Sequence, residues 1–543
     1  MPPKTPGVYV QEISTLPPSV AAVSTAIPAF IGYTATPDPA DATKAAWLNA
    51  PRRIETLMEY EQLFGGPPDV ISSVSVAADD SVAVAAESTF PLLYYSLRLY
   101  FENGGGPCYI VSIGLHSAQP ALQNFTDALN ALQKMDEPTL IVMPDAVRLD
   151  DDYKTACGAA LDHCGGVMKD RFAILDVKQL SDKTADEIAK FRELSSDYLA
   201  YGAAYAPYLR TSLAFAYAEE KVPVRWAFNG LRISGPKVAG KVPKVKFVPG
   251  TEAGKISFAI DATGPFLTVT MDKPGGSSAA DIAAAWDTWA KDPANKAQGF
   301  SVAAATTPAP TTPVPPMTEP ANLWASDLKS LKAVNTAKYN AIKSALATKR
   351  ATLPPSGAIA GIFARVDRDR GVWKAPANVA VASVLDLDRI YTDLQQEGLN
   401  VDPVGGRSIN VIRSFTGRGT LVWGARTLAG NDNEWRYVSV RRLFIMIEES
   451  AQKSTAFAVF EPNDATTWLK VKAMIESFLY GLWEQGALAG SKPEAAYFVN
   501  VGLGTTMTPQ DILEGRMIVE IGIAAVRPAE FIILRFSHKM QQA

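Results

Sequence analysis

The chain has 543 residues, 47% of them hydrophobic and 20% charged. That is a globular balance, with apolar material for a sizeable core and length for three or four domains. A net charge of −4 leaves no clustered basic excess, which excludes the footprint of a nucleic-acid or acidic-membrane binder. Three cysteines, Cys108, Cys157 and Cys164, are too few for a disulfide framework and point to folding in a reducing compartment. The opening MPPKTPGVYV holds no apolar signal core, and runs such as LFIMI are far below membrane-spanning length. Folding in the cytosol without membrane insertion is the expectation.

Residues 1–25 read as an extended arm. Within TPGVYVQEIS, Val8, Tyr9, Val10, Glu12 and Ile13 form a strand with no hairpin partner behind it, only the loose connector TLPPSVAAVSTA. Residues 26–210 alternate strand and helix signals, the first part of an α/β body. AIPAFIGYTA, PTLIVMPD and RFAILDV are buried-strand runs. RIETLMEYEQLFGG is a helix ended by Gly65 and Gly66; PLLYYSLRLYFENGGGPCYIVSIG is a helix, a glycine turn and a strand.

From 211 to 352 the texture changes to an inserted β-rich and helical module. VKFVPG, GKISFAID and FLTVTMD alternate, with Ile256, Phe258 and Ile260 on one face. SAADIAAAWDTWAK is helical, the Pro/Thr-rich stretch at 305–320 is a linker, and the run from Asn322 to Arg350 is a single long helix. Residues 353–400 return to the α/β body. Residues 401–543 form a C-terminal domain with the clearest helical stripes: Val440, Leu443, Phe444 and Ile447, then Trp468, Val471, Ile475, Phe478 and Leu482. Asn463 or Asp464 caps the second helix and Gly486 ends it.

Convergent reactive groups are scarce. Cys157, His163 and Cys164 lack a zinc-site spacing and a fourth ligand and read as buried groups at a helix end. GPKVAGKV at 235–242 approaches a phosphate loop, but Val242 stands where the magnesium-binding hydroxyl belongs, so a basic surface loop is the better reading. Asp150 to Asp152 fit a helix start, and Glu448 and Glu449 point in different directions on a helix. ARVDRDRGVW alternates arginine and aspartate, either as a contact across elements or as an exposed ladder.

The final run EFIILRFSHK is apolar on both faces, Phe531 and Ile533 on one, Ile532, Leu534 and Phe536 on the other, with Arg535 among them. Such a strand expects cover on both sides. Both chain ends therefore read as apolar strands on proline-containing connectors. They are suited either to a neighbour's sheet edge or to pairing within their own chain.

An ordered set of motifs resembles the contractile tail sheath family of phages, R-type pyocins and extracellular contractile injection systems. The set is TPGVYVQEI, YFENGGGPCYIV, YGAAYAPYLR, PPSGAIAGIFARVDRDRGVWKAPANV, INVIRSFTGRGTLVWGARTL, EWRYVSVRRLFIMIEES, FAVFEPNDATTWLKV, GALAG and PAEFIILRF. It covers most of the chain outside 211–352. The resemblance implies a structural subunit without catalysis, cofactor or metal, in hexameric rings stacked helically around an inner tube protein, with baseplate and terminal cap proteins as further partners. It also implies that Val8 to Ile13 and Phe531 to Phe536 join neighbouring C-terminal domains, that contraction drives the tube through a target envelope, and that the 211–352 module lies outside. Such particles assemble in the bacterial cytoplasm as phage tails or tail-like machines, some released from the cell. A non-contractile self-assembling shell or surface-layer polymer is the alternative.

Overall fold

The computed structural model describes residues 20–36, 47–77, 81–179, 186–238, 241–261, 264–304, 313–324 and 326–533. They fall into two compact units. The first draws its described residues from Met1–Gly65, Ser96–Leu209 and Leu353–Ala543; the second comprises Gly66–Tyr95 and Arg210–Thr352.

The first unit is built on a nine-stranded sheet. Its order is Arg52–Ile54, Cys108–Leu115, Pro28–Thr34, Leu140–Val142, Phe172–Asp176, Gly202–Ala206, Ile409–Phe415, Gly419–Val422 and Val379–Ala380. The six strands from Cys108–Leu115 to Ile409–Phe415 run parallel, and the flanking pairs are antiparallel. Pro28–Thr34, Leu140–Val142 and Phe172–Asp176 are buried along their whole length. Their near-continuous apolar sequence suits a sheet covered on both faces.

The Ser356–Arg370 helix is seated by two local devices. Asp176 accepts from Ser356 N (2.7 Å) and Ser356 Oγ (2.6 Å), which satisfies donors in its first turn. Glycine then permits close packing: a Cβ at Gly357 would lie 2.5 Å from Ser96 O, and one at Gly361 2.4 Å from Tyr100 O.

The second unit is the β-rich one. A five-stranded sheet runs Ser301–Ala304, Leu231–Ser234, Val224–Phe228, Ile71–Ala77 and Val82–Ala86; a four-stranded sheet runs Ser257–Asp261, Phe266–Thr270, Lys244–Val248 and Ala321–Asn322. The first sheet differs from the sequence reading, which puts 66–95 in the α/β body. Ile71–Ala77 instead pairs in parallel with Val224–Phe228, a partner too distant in sequence for local pattern to reveal. The single long helix expected after Asn322 is two helices, Leu328–Val334 and Thr336–Ala347. Asn335 breaks it: its backbone is non-helical (φ −147°, ψ 88°) and its side chain accepts from Lys338 N, capping the second helix.

Candidate assembly interface

The C-terminal part of the first unit is organised by the helices Val438–Thr455 and Ala465–Glu484. Leu443, Met446, Ile447, Val471, Ile475, Leu479 and Leu482 are buried in one cluster, with Val23, Phe478, Val519 and Ile521 packed against it. The expected stripes are the core-facing ones, although Phe444, Trp468 and Phe478 are only half-buried. Asp464 caps the second helix by accepting from Thr466 N and Thr467 N. Asn463 has a different task, accepting from Trp468 Nε1 at 2.7 Å. Gly486, at φ +79°, lies just past the helix end.

Against these helices lies a sheet of two strands, Tyr497–Val501 and Val519–Ile523. They are antiparallel, with Val499 opposite Ile521. Each has one outer edge without a strand partner among the described residues. Two-stranded sheets are marginal in water, and open edges invite a further strand. Val519 and Ile521 also line a groove of about 780 Å³ with Val471, Ile475 and the loop from Val459 to Asn463.

Two ionic clasps, one buried and one half-buried, anchor the chain near the first and last described residues. At the amino end Arg442, 3% exposed in its side chain, pairs with Asp367. Its Nη2 donates to Thr25 O (2.8 Å), while Thr25 Oγ1 donates to Asp367 Oδ2 (2.6 Å). The guanidinium lies 4.5 Å from the centre of the Phe363 ring. Val23 N donates to Ser450 Oγ, fixing the next residues outward. At the carboxyl end Arg426 holds Glu530 with two parallel bonds, Nε to Oε1 at 3.0 Å and Nη2 to Oε2 at 2.7 Å. Asn400 Nδ2 (2.6 Å) and Tyr437 OH (3.1 Å) also donate to that carboxylate. Bidentate pairing of this kind fixes direction as well as position.

Burial works to raise the Glu530 carboxyl, but the bonds from Arg426, Asn400 and Tyr437 outweigh it and hold it below the ordinary glutamate value of 4.5. A depressed carboxyl contributes stability that is present above the unfolded value and lost as pH falls through the folded one. Amide exchange at residues 524–530 should therefore be flat from neutral pH down to about 4.5 and rise below it, after correction for the intrinsic pH dependence of exchange. Glu530→Gln should remove that rise.

The expected exchange residues divide between described and undescribed chain. Phe531, Ile532 and Ile533 are 69, 79 and 78% exposed and belong to no strand of this chain. Val8, Tyr9, Val10, Glu12, Ile13, Leu534, Arg535 and Phe536 lie outside the described residues. The arginine–aspartate alternation splits: Asp367 makes the buried clasp, whereas Arg368 and Asp369 form an exposed local pair. The sequence reading missed Arg426, Glu530 and the role of Arg442. Two arginines inside an apolar helical stripe, Arg441 and Arg442, were the available signal.

The groups weighed for chemistry are buried thiols, a buried histidine and members of ion pairs. Cys157 and Cys164 are buried free thiols; burial pushes Cys157 up to about 12. Burial, helped by Arg171, lowers His163 to about 4, and its Nε2 is 3.2 Å from the Arg171 guanidinium. Lys237, in the phosphate-loop look-alike, pairs with Asp327. Glu448 pairs with Arg441 and Glu449 with Lys453. Among the described residues no cluster of His, Cys, Asp and Glu is placed to hold a metal ion, and no helix is long and apolar enough to cross a membrane.

The chain is similar to known phage tail sheath proteins. The phage tail sheath central-domain model matches residues 265–428 and the phage tail sheath C-terminal-domain model residues 430–539. The central match reaches into the 211–352 segment, which the motif resemblance leaves out. The chain is 24% identical over 185 residues to the tail sheath protein of Vibrio phage KVP40 and 26% identical over 185 residues to that of Enterobacteria phage T4. These alignments cover 34% of this chain and only 26% and 27% of the two relatives.

Among solved structures, the contracted sheath complex of the extracellular contractile injection system PVC matches with a TM-score of 0.55 and 27% identity, over 99% of each chain. The contracted helical sheath of the anti-feeding prophage matches with a TM-score of 0.54 and 27% identity, over 99% of this chain and 100% of that one. The second unit is thus no addition peculiar to this chain. The chain belongs to the contractile tail sheath family.

Proposed function

We propose that the chain is the repeating structural subunit of a contractile sheath. Six copies make a ring, and rings stack helically around an inner tube protein between a baseplate and a terminal cap. On a baseplate trigger the sheath shortens and widens and drives the tube through a target envelope. The observation that carries this reading is a two-stranded sheet whose outer edges have no strand partner among the described residues, in a chain that exposes three successive apolar residues, Phe531, Ile532 and Ile533.

Each copy lends its two ends to neighbouring C-terminal sheets and receives two in return. Backbone ladders then run from copy to copy, and the clasps at Thr25 and Glu530 fix where each borrowed strand departs. Subunits rotate as rigid bodies during contraction while the ladders persist. The particle is assembled in the bacterial cytoplasm as a phage tail or a tail-like machine.

Purified protein mixed with its tube protein should form hollow tubes, and negative-stain images should show two tube lengths, long-narrow and short-wide. A single fixed length under all triggering conditions would favour a non-contractile shell. Failure to form tubes at any concentration would overturn the sheath reading.

A further inference from the structure

The Asp393–Asn400 helix carries an apolar ridge that no other described residue covers. Leu394 and Val401 are seven positions apart and so share a face with Gly398. Leu394 is 77% exposed, Ile390 just before the helix 81%, and Val404 just after it 96%. The ridge is held firmly. Thr392 and Gln395 form a reciprocal capping box. Leu399 is buried on the inner side, and Arg192 Nη2 donates to Gly398 O at 2.7 Å. The buried Asp402 accepts from Val404 N (3.2 Å) and Arg407 N (3.1 Å), which braces the loop that presents Val404. Large apolar side chains displayed on so fixed a scaffold mark an interaction surface.

The occupant is set by where the ridge ends. Asn400, the last residue of the helix, donates to Glu530, three residues before the last described residue, Ile533. A six-residue strand from Phe531 to Phe536 spans about 20 Å. A sheet that receives this strand must come within that reach of Glu530, and Asn400 is hydrogen-bonded to Glu530.

We infer that a second copy of this chain, the one that receives the carboxyl-terminal arm, seats its body on Ile390, Leu394, Val401 and Val404. The inference rests on the strand-exchange reading above. It adds a body-to-body contact beside the exchanged strand, one that aligns the two copies before or while the strand inserts.

Hydroxyl-radical footprinting of the full chain, as monomer and as assembled tubes, tests both readings at once. Protection of Ile390, Leu394 and Val404 together with Phe531 to Ile533 is the expected result. Protection of 531–533 with Leu394 and Val404 still labelled would overturn the ridge contact and leave the exchange standing. Labelling of both regions in tubes would overturn both, and protection of the ridge alone would overturn their linkage. The double variant Leu394→Glu, Val404→Glu should stay a folded monomer by circular dichroism and raise the threshold concentration for tubes at least about tenfold. An unchanged threshold would overturn the inference.

Discussion

A chain lacking residues 1–14 is expected to purify as a folded monomer and to form no long tubes. The removed residues lie beyond the amino-terminal clasp. Val20 is buried, Val23 packs on the helical core, and Thr25 is locked between Arg442 and Asp367, so the body keeps its anchored segment. On the strand-exchange reading, what is lost is a donated strand. Each of its backbone bonds is worth about 0.5–1.5 kcal/mol net, and each well-buried Val or Ile adds about 1.5–3 kcal/mol. Ordering takes back about 1–2 kcal/mol per residue. One donation is modestly favourable, so removing it leaves the monomer intact. A sheath repeats that donation at every copy, so removing it everywhere dissolves the net. Light scattering and negative stain measure assembly, and near-ultraviolet circular dichroism measures folding. A truncated chain that unfolds would place the strand in its own core and contradict exchange.

Arg442→Ala is expected to be the most damaging single substitution outside the apolar core. It leaves the Asp367 carboxylate buried, 6% exposed in its side chain, without its guanidinium. Removing one partner of a buried pair typically destabilises by about 3–5 kcal/mol. The double replacement Arg442→Met, Asp367→Leu removes both charges and should recover much of that loss, because two well-packed apolar side chains replace a pair that had to be desolvated. Urea unfolding followed by tryptophan fluorescence gives the comparison. The double variant carries a second expectation. Thr25 O and Thr25 Oγ1 lose their partners in it, so the arm root is released while the body is stable, and tube yield should fall even so. A double variant that assembles normally would remove the clasp from the assembly account.

What the sequence shows and what it hides follow from the range of each interaction. The stripes from Val440 and from Val471, the capping at Asp464 and the helix end at Gly65 are local, set by 3.6-residue spacing and by groups within one turn. The parallel strands are legible as well, because burial on both faces demands runs such as AIPAFIGYTA. The clasps are hidden because their members stand far apart: Arg442 meets Asp367 75 residues away, and Arg426 meets Glu530 104 residues away. The alternating arginines and aspartates after Ala364 raise the possibility of a contact without naming Arg442. Parallel pairing of Ile71–Ala77 with Val224–Phe228 is hidden for the same reason. The break at Asn335 had a local signal, since Asn is a good cap and a poor mid-helix residue, but the surrounding alanine and lysine content outweighs it. The outer edges of the C-terminal sheet are a different case. A single sequence shows strands, and only the fold shows which of them have no strand partner among the described residues.

The most direct measurement is a density map of assembled tubes at side-chain resolution, read at the outer edges of Tyr497–Val501 and Val519–Ile523. The account predicts that both edges are occupied by strands from other copies, with Val8 to Ile13 on one and Phe531 to Phe536 on the other. A map in which both ends of each chain fold back onto that same chain, with no strand crossing between copies, would contradict it.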